Sequence, residues 1–385
     1  MLVRQTFNLS RRQFSAMSVA QEMQDIPATT PSAKTYGASK STTLPSGLTV
    51  LTSPNSSSTT VTYTTPNGSS SESSSESGAS LASRYMSFMG SNLGSTLKTH
   101  RTLEDAGATT FHSHTRTSTS RGFTCSPEDA SSLLEFLSAK PTFEPWDVKT
   151  AIDQSKLDGE ESKTSPILTL QEAIYSASFG ESSSMGQTIY ATPSAASVES
   201  FINRTFTGGI VTASGIADHD SFVRDVTNSF SGCDGGAKST PASFVAGDSR
   251  VHGDTEFAHI AFTFNSTSLA HGLVLKSFFD SLGYSGFSAN GIAGVYASGE
   301  GGSIFDDLAK AVKSEMNLDA VKKAVKSEII FGTEGGRELS QFMAMHGKSP
   351  EEVCKEVEGV KGGDLGKASV AAVGNIGGVG GSRDL

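Results

Sequence analysis

Short segments of alternating apolar and polar residues, separated by Ser, Thr and Gly, alternate with longer stretches of helical periodicity. The alternation predicts strands at Leu48–Thr52 and Thr60–Thr65, then a helix from Leu81 to Met89. Strands follow at Thr109–Thr115 and Ser120–Thr124, helices at Pro127–Ser138, Trp146–Asp158, Leu168–Ser178 and Ala196–Arg204, and a strand at Gly209–Gly215. The same succession then starts again. Strands at Ser243–Val245 and His259–Asn265 precede a helix at Ser268–Ser281, and strand-forming residues run from Phe287 to Tyr296. Helices at Ser303–Ser314, Leu318–Phe331, Arg337–Met345 and Pro350–Val357 lead to a last strand at Ala368–Val373. Apolar stripes such as Leu133, Leu134, Leu137 and Phe305, Leu308, Val312 fall on single helix faces and are read as core. Strands come first and helices afterwards in both halves, which predicts a duplicated α+β fold rather than a parallel alternation.

This order divides the 385 residues into a leader (15–43), a first half (44–230), a linker rich in Gly and Ser (231–242) and a second half (243–385). The run Asn67–Ser77, nearly all Ser, Gly and Glu, is expected to be a mobile loop. No window approaches the roughly 20 apolar residues of a bilayer-spanning helix. The net charge of −10, without a basic run, argues against a nucleic-acid partner. Cys125, Cys233 and Cys354 are too far apart for a Cys-x-x-Cys site and odd in number, which favours a reducing compartment. Residues 1–14 carry Arg4, Arg11 and Arg12 and no acid; Val3, Phe7 and Phe14 would share one helix face, the pattern of a mitochondrial presequence.

Few residues suggest chemistry. Ser95-Thr96-Leu97-Lys98 has Ser-x-x-Lys spacing but no Lys-Thr-Gly partner. Gly347-Lys348-Ser349 lacks the preceding glycine of a phosphate loop and reads as a helix end. His112 and His114 share a strand face and could pair on a metal, although no third ligand is near in sequence, so an exposed strand pair is preferred. No haem or iron–sulfur ligand pattern occurs, and no cofactor is expected.

Leu44-Pro45-Ser46-Gly47-Leu48-Thr49-Val50 and Gly68-Ser69-Ser70-Ser71-Glu72 resemble the first strand and following turn of the pitrilysin-like (inverzincin) metallopeptidases, the family of the mitochondrial processing peptidase. Active members carry His-x-x-Glu-His on the next helix, two zinc ligands and a general base. Here Leu81 and Tyr85 stand at the histidine positions and Arg84 at the glutamate, so the resemblance implies a degenerate motif with no catalytic residue and no metal. A third ligand would correspond to one of Asp153, Asp158, Glu160 and Glu161, which the sequence does not separate and which are read as a solvated helix face.

The Gly78–Arg84 segment with Arg101, Glu104 and Gly107, and the ending Ala371–Gly377, resemble the non-catalytic core-subunit branch of that family in respiratory complex III. That branch implies two homologous halves, each an antiparallel-rich sheet packed with helices. It also implies a structural role at the matrix side of the mitochondrial inner membrane, beside a related core protein 1-like subunit, cytochrome b and cytochrome c1. A non-catalytic processing-peptidase subunit and an active zinc peptidase are the alternatives. The segment between Phe279 and Ser288 is shorter than the family pattern.

The run Arg12-Gln13-Phe14-Ser15 resembles a matrix-peptidase cleavage site, so amino-terminal sequencing of the native protein should read from Ser15 or a few residues beyond. An intact Met1 would contradict it.

Overall fold

The computed structural model describes residues 38–56, 58–231, 242–362 and 365–382. The presequence 1–14, the leader up to residue 37, Cys233 and all but the ends of the linker 231–242 lie outside the described residues.

Two mixed sheets organise the chain. The first runs β1 (Lys40–Thr43), β2 (Thr49–Ser53), β6 (Ile210–Ser214), β3 (Thr59–Thr65), β5 (Thr119–Cys125), β4 (Thr109–His114); the second runs β7 (Asp248–His252), β11 (Ala368–Gly374), β8 (Ala258–Asn265), β10 (Ile292–Gly299), β9 (Ser285–Ala289). The pairing senses repeat. β2 is parallel to β6 as β7 is to β11, and the remaining neighbours are antiparallel in both sheets. In each half one glycine marks the same crowded place. A Cβ at Gly122 would lie 2.5 Å from both Phe111 and the Val61 carbonyl, and one at Gly294 would lie 2.8 Å from Phe287 and 2.1 Å from the Phe262 carbonyl.

The first half adds α1 (Ala79–Tyr85), α2 (Thr96–Asp105), α3 (Ala130–Ser138), α4 (Pro145–Thr164), α5 (Pro166–Phe179), α6 (Ala195–Thr205) and α7 (His219–Ser229). The second adds α8 (Leu269–Ser281), α9 (Gly301–Val312), α10 (Leu318–Gly332), α11 (Gly336–His346) and α12 (Pro350–Gly359). Each half sends its third post-hairpin helix across to the other sheet: α5 packs on β11, β8 and β7, and α11 on β3 and β6. The opposite faces carry the main cores. Val61, Tyr63, Phe123, Leu133 and Leu134 lie in one, and Ile260, Phe262, Phe264, Phe278 and Leu308 in the other.

Hydroxyls line the face that receives α11. Thr60, Thr62 and Thr64 alternate with the core residues Val61 and Tyr63, and all are buried. Thr60 bonds Thr124 at 2.9 Å and Thr64 bonds Ser120 at 2.7 Å. The Ser340 hydroxyl of α11 meets Thr62 Oγ1 at 2.9 Å and Thr212 Oγ1 at 3.0 Å, while Ser214 donates to the Gly336 carbonyl at 2.7 Å. In the second sheet Ser178 of α5 bonds Thr263 at 2.9 Å, the corresponding link.

Several expectations need correction. Lys40–Thr43, read as leader, forms an edge strand along β2. Ala242–Gly247 is not a strand: the Val245 and Gly247 amides donate to the carbonyls of Ser178 and Ala177 at the end of α5, and pairing starts at Asp248. The run 67–77 is pinned rather than loose. Ser69–Ser71 form a 3-10 turn with Ser69 and Ser70 buried, and Glu76 pairs with Arg204 at 2.5 Å. Helices α2 and α7 were not anticipated, because few of their residues are buried: Thr99 and Leu103 in α2, and His219, Phe222 and Val226 in α7. The short segment of the second half is visible as the passage from α8 to β9 through Leu282–Tyr284, where the first half spends residues 86–108 and a helix. Among the described residues, no helix is long and apolar enough to cross a membrane.

Replacing Ser340 with Ala leaves the Thr62 hydroxyl buried without its partner. Urea unfolding should show a loss of about 1–3 kcal/mol; an unchanged midpoint would mean that α11 is held by its apolar contacts alone.

Candidate functional site

Helix α1 begins where Gly78, at φ 81°, takes the left-handed conformation that a side chain would resist. Its first turn has no side chain at the N-cap to satisfy it. Glu72, from the preceding turn, does so instead, accepting from the Gly78 amide at 2.9 Å and the Ser80 amide at 2.8 Å. Burial pushes the Glu72 carboxyl above the usual carboxylate range, although these donors oppose the shift. Burial also acts on Glu76, but the bonds from Arg204, Ser73 and Ser200 prevail and hold it at about 2.

So anchored, α1 turns Leu81 into the interior, where it is 2% exposed, and sets Arg84 and Tyr85 toward α4. Asp158 of α4 meets them. Its carboxylate accepts from the Tyr85 hydroxyl at 2.7 and 2.9 Å and from Arg84 Nη2 at 3.3 Å, and Arg84 also donates to the Tyr85 oxygen. The Arg84 guanidinium lies 4.4 Å from the Tyr85 ring centre. Of the four acidic residues that the sequence left unresolved, only Asp158 reaches this cluster. Asp153 pairs with Lys156, and Asp153, Glu160 and Glu161 are exposed.

His112 and His114 do share the strand face turned to α1, yet each has a separate contact. The His112 ring is edge-on to Tyr85 at 5.7 Å, and His114 Nε2 bonds Ser80 Oγ at 2.9 Å. Burial, with Arg84 and Arg116 nearby, pushes His114 down to about 3; burial and Arg84 also lower His112. The second cation, Arg116, sits in the β4–β5 turn and is 4% exposed. It pairs with Glu172 of α5 at 2.5 Å, donates to the carbonyls of Met185 and Gln187 at 3.0 and 2.5 Å, and stacks on Tyr175 at 4.2 Å. Thr117 in the same turn bonds Asn290 of the β9–β10 turn at 3.0 Å, and Asn290 bonds the Tyr175 hydroxyl at 2.9 Å. Sequence reading missed Arg116, Glu172 and Tyr175, which no local motif groups.

This donor set does not fit a divalent cation. Leu81 has no ligand atom, and the Tyr85 oxygen and Asp158 carboxylate are both engaged by a guanidinium that would repel a metal. The remaining motifs resolve into helix ends. Ser95 caps α2, Gly347 ends α11 at φ 64°, and Ser349 with Glu352 forms the capping box of α12.

The cluster makes the fold sensitive to acid. A ring whose folded pKa lies below its unfolded value of about 6.5 favours the native state fully above that value, and the benefit is lost as pH falls toward the folded pKa. The stability of His114→Gln, followed by urea unfolding at successive pH values, should therefore decline less than that of the parent between about pH 6.5 and 3. Parallel curves would show that His114 is not held neutral.

Residues 49–192 match the family model "Insulinase (Peptidase family M16)". No curated protein sequence matches the chain. A solved chain in "Complex III2 from Candida albicans, Inz-5 bound" superposes with a TM-score of 0.73 at 16% identity, covering 90% of this chain and 98% of that one. Residues 49–192 are thus similar to peptidase family M16, and the two-sheet α+β fold is shared with a chain of complex III2.

Proposed function

We propose that this chain is a non-catalytic, core protein 2-like subunit of mitochondrial complex III, made of two M16-type halves (44–230 and 243–385) behind a presequence (1–14). The observation that carries the reading is the fold likeness to the complex III2 chain, which spans nearly all of both chains. The site supports it from a different direction: at the positions where an active relative would hold zinc and its base, Leu81 is buried in the interior and Arg84 and Tyr85 form a packed, charge-neutral cluster with Asp158. Such a cluster stabilises the helix layer and offers no open coordination position and no group able to activate water.

In this role the chain carries no redox centre and supports electron transfer by partners from ubiquinol to cytochrome c. It sits peripherally on the matrix side of the inner membrane, beside a core protein 1-like subunit and near cytochrome b and cytochrome c1. Its contact with the related core subunit should be of the obligate kind, about 2,000 Å² or more.

Mild detergent extraction of mitochondrial membranes, native electrophoresis and mass spectrometry test this. The chain should migrate with cytochrome b and cytochrome c1, and the purified subunit should hold far less than one zinc per chain. A cytochrome-free matrix heterodimer would favour a processing-peptidase subunit instead, and stoichiometric zinc would revive the peptidase reading.

A further inference from the structure

Helix α4 turns Val148, Ala151, Ser155, Gly159 and Ser162 inward, where it packs against α1 and α6, and shows a different pattern outside. Trp146, the only tryptophan of the chain, is 66% exposed, and Leu157 is 56% exposed. At about 100° per residue, Trp146, Thr150, Asp153 and Leu157 fall within an arc of about 60°. All four are exposed, so the helix presents one outward stripe with a large apolar side chain at each end and two small polar ones between. Apolar residues repeated on one face, rather than scattered singly, mark a surface built for contact.

Beside the stripe, between α4 and the start of α6, runs a groove of about 500 Å³. Phe143, Val148, Ile152 and Pro193 supply apolar lining, and its charged residues are Lys149, Lys156, Asp153 and Glu199. Two charges of each sign leave the groove neutral within a chain of net charge −10. Such a surface exerts no long-range pull on a strongly charged partner, and it is a place where two copies of an acidic chain can meet without repulsion.

The stripe also matches itself when reversed. An antiparallel copy of α4, centred between Ala151 and Ile152, puts Trp146 of each copy opposite Leu157 of the other, at both ends of the contact. Thr150 then faces Asp153 of the second copy, with Lys149 beside the same carboxylate on the flank that carries the groove. A two-fold axis requires a single patch that is complementary to itself. We propose that the outer face of α4, with its groove, is an isologous contact between two copies of this chain. The proposal stands on the stripe and the groove, independently of which assembly contains the chain.

Because the chain holds one tryptophan, its own emission reports the contact. Diluting the purified full chain should move the emission to longer wavelength as sedimentation falls from dimer to monomer. Leu157→Asp should hold both at their monomer values, with an unchanged circular dichroism spectrum. Asp153→Lys should weaken association by about tenfold or more, and adding Lys149→Asp should restore it. In the purified native assembly, Thr150→Cys treated with a short bifunctional maleimide should give a covalent dimer of this chain that the parent does not form, and this product decides the matter should the isolated chain stay monomeric. A cross-link to a different subunit, a cross-link within one chain, or no product would overturn the proposal, as would association indifferent to Leu157→Asp.

Discussion

The buried hydroxyl contact between each crossing helix and the opposite sheet governs the architecture. Ser340 fits between Thr62 and Thr212, and Ser178 against Thr263, so neither sheet has both faces covered by its own half. A hydroxyl removed from water costs stability unless it finds a partner, and here the partners lie more than 80 residues away in sequence. The same contacts select register, since a slip of one residue along β3 would present Val61 or Tyr63 to α11 and turn a threonine into the core. The abundance of Ser and Thr therefore has a partial structural reason: one face of the first sheet is built from hydroxyl pairs rather than hydrocarbon.

The candidate site inherits its geometry from this crossing. Glu172 and Tyr175 lie on α5, so the helix that closes the second sheet also clasps Arg116 in the β4–β5 turn of the first. Asn290 bonds both Thr117 and Tyr175 and joins the two hairpin turns at the same point. Arg84 and Arg116 are each matched by one carboxylate and one tyrosine ring, and His114 feels both cations. In such an arrangement each guanidinium is paired with a carboxylate inside the protein, and the two pairs tie α1 to α4 and the β4–β5 turn to α5.

Much of the fold was legible because its strands and helices bury one face strongly. Val61 and Tyr63 in β3, Ile260 and Phe262 in β8 and the stripes of α3 and α9 produce clear periods, and the repeat of the two sheets follows from their order. Helix α2 and strand β7 escaped detection because most of their residues face water, and α7 because only His219, Phe222 and Val226 of its eleven residues are buried. The position of β7 was further obscured by Val245, which belongs to an extended segment bonded to a helix end rather than to a strand. At the site, spacing within one helix identified Leu81, Arg84 and Tyr85 together. Asp158 could be chosen among four acids only by its distance to Arg84, and Arg116 with Glu172 only through a tertiary contact across 56 residues.

The crossing of α11 also imposes an order in time. A chain that emerges amino terminus first exposes the first sheet long before residues 336–346 are available to cover it. Until then its hydroxyl face must remain hydrated, and the pairing of β3 with β6 lacks the support that Ser340 provides. The two halves should consequently gain their stability together rather than in succession, with the slow step set by long-range closure. A polar face tolerates that wait better than an apolar one, since exposed threonines attract water where exposed leucines would attract other chains.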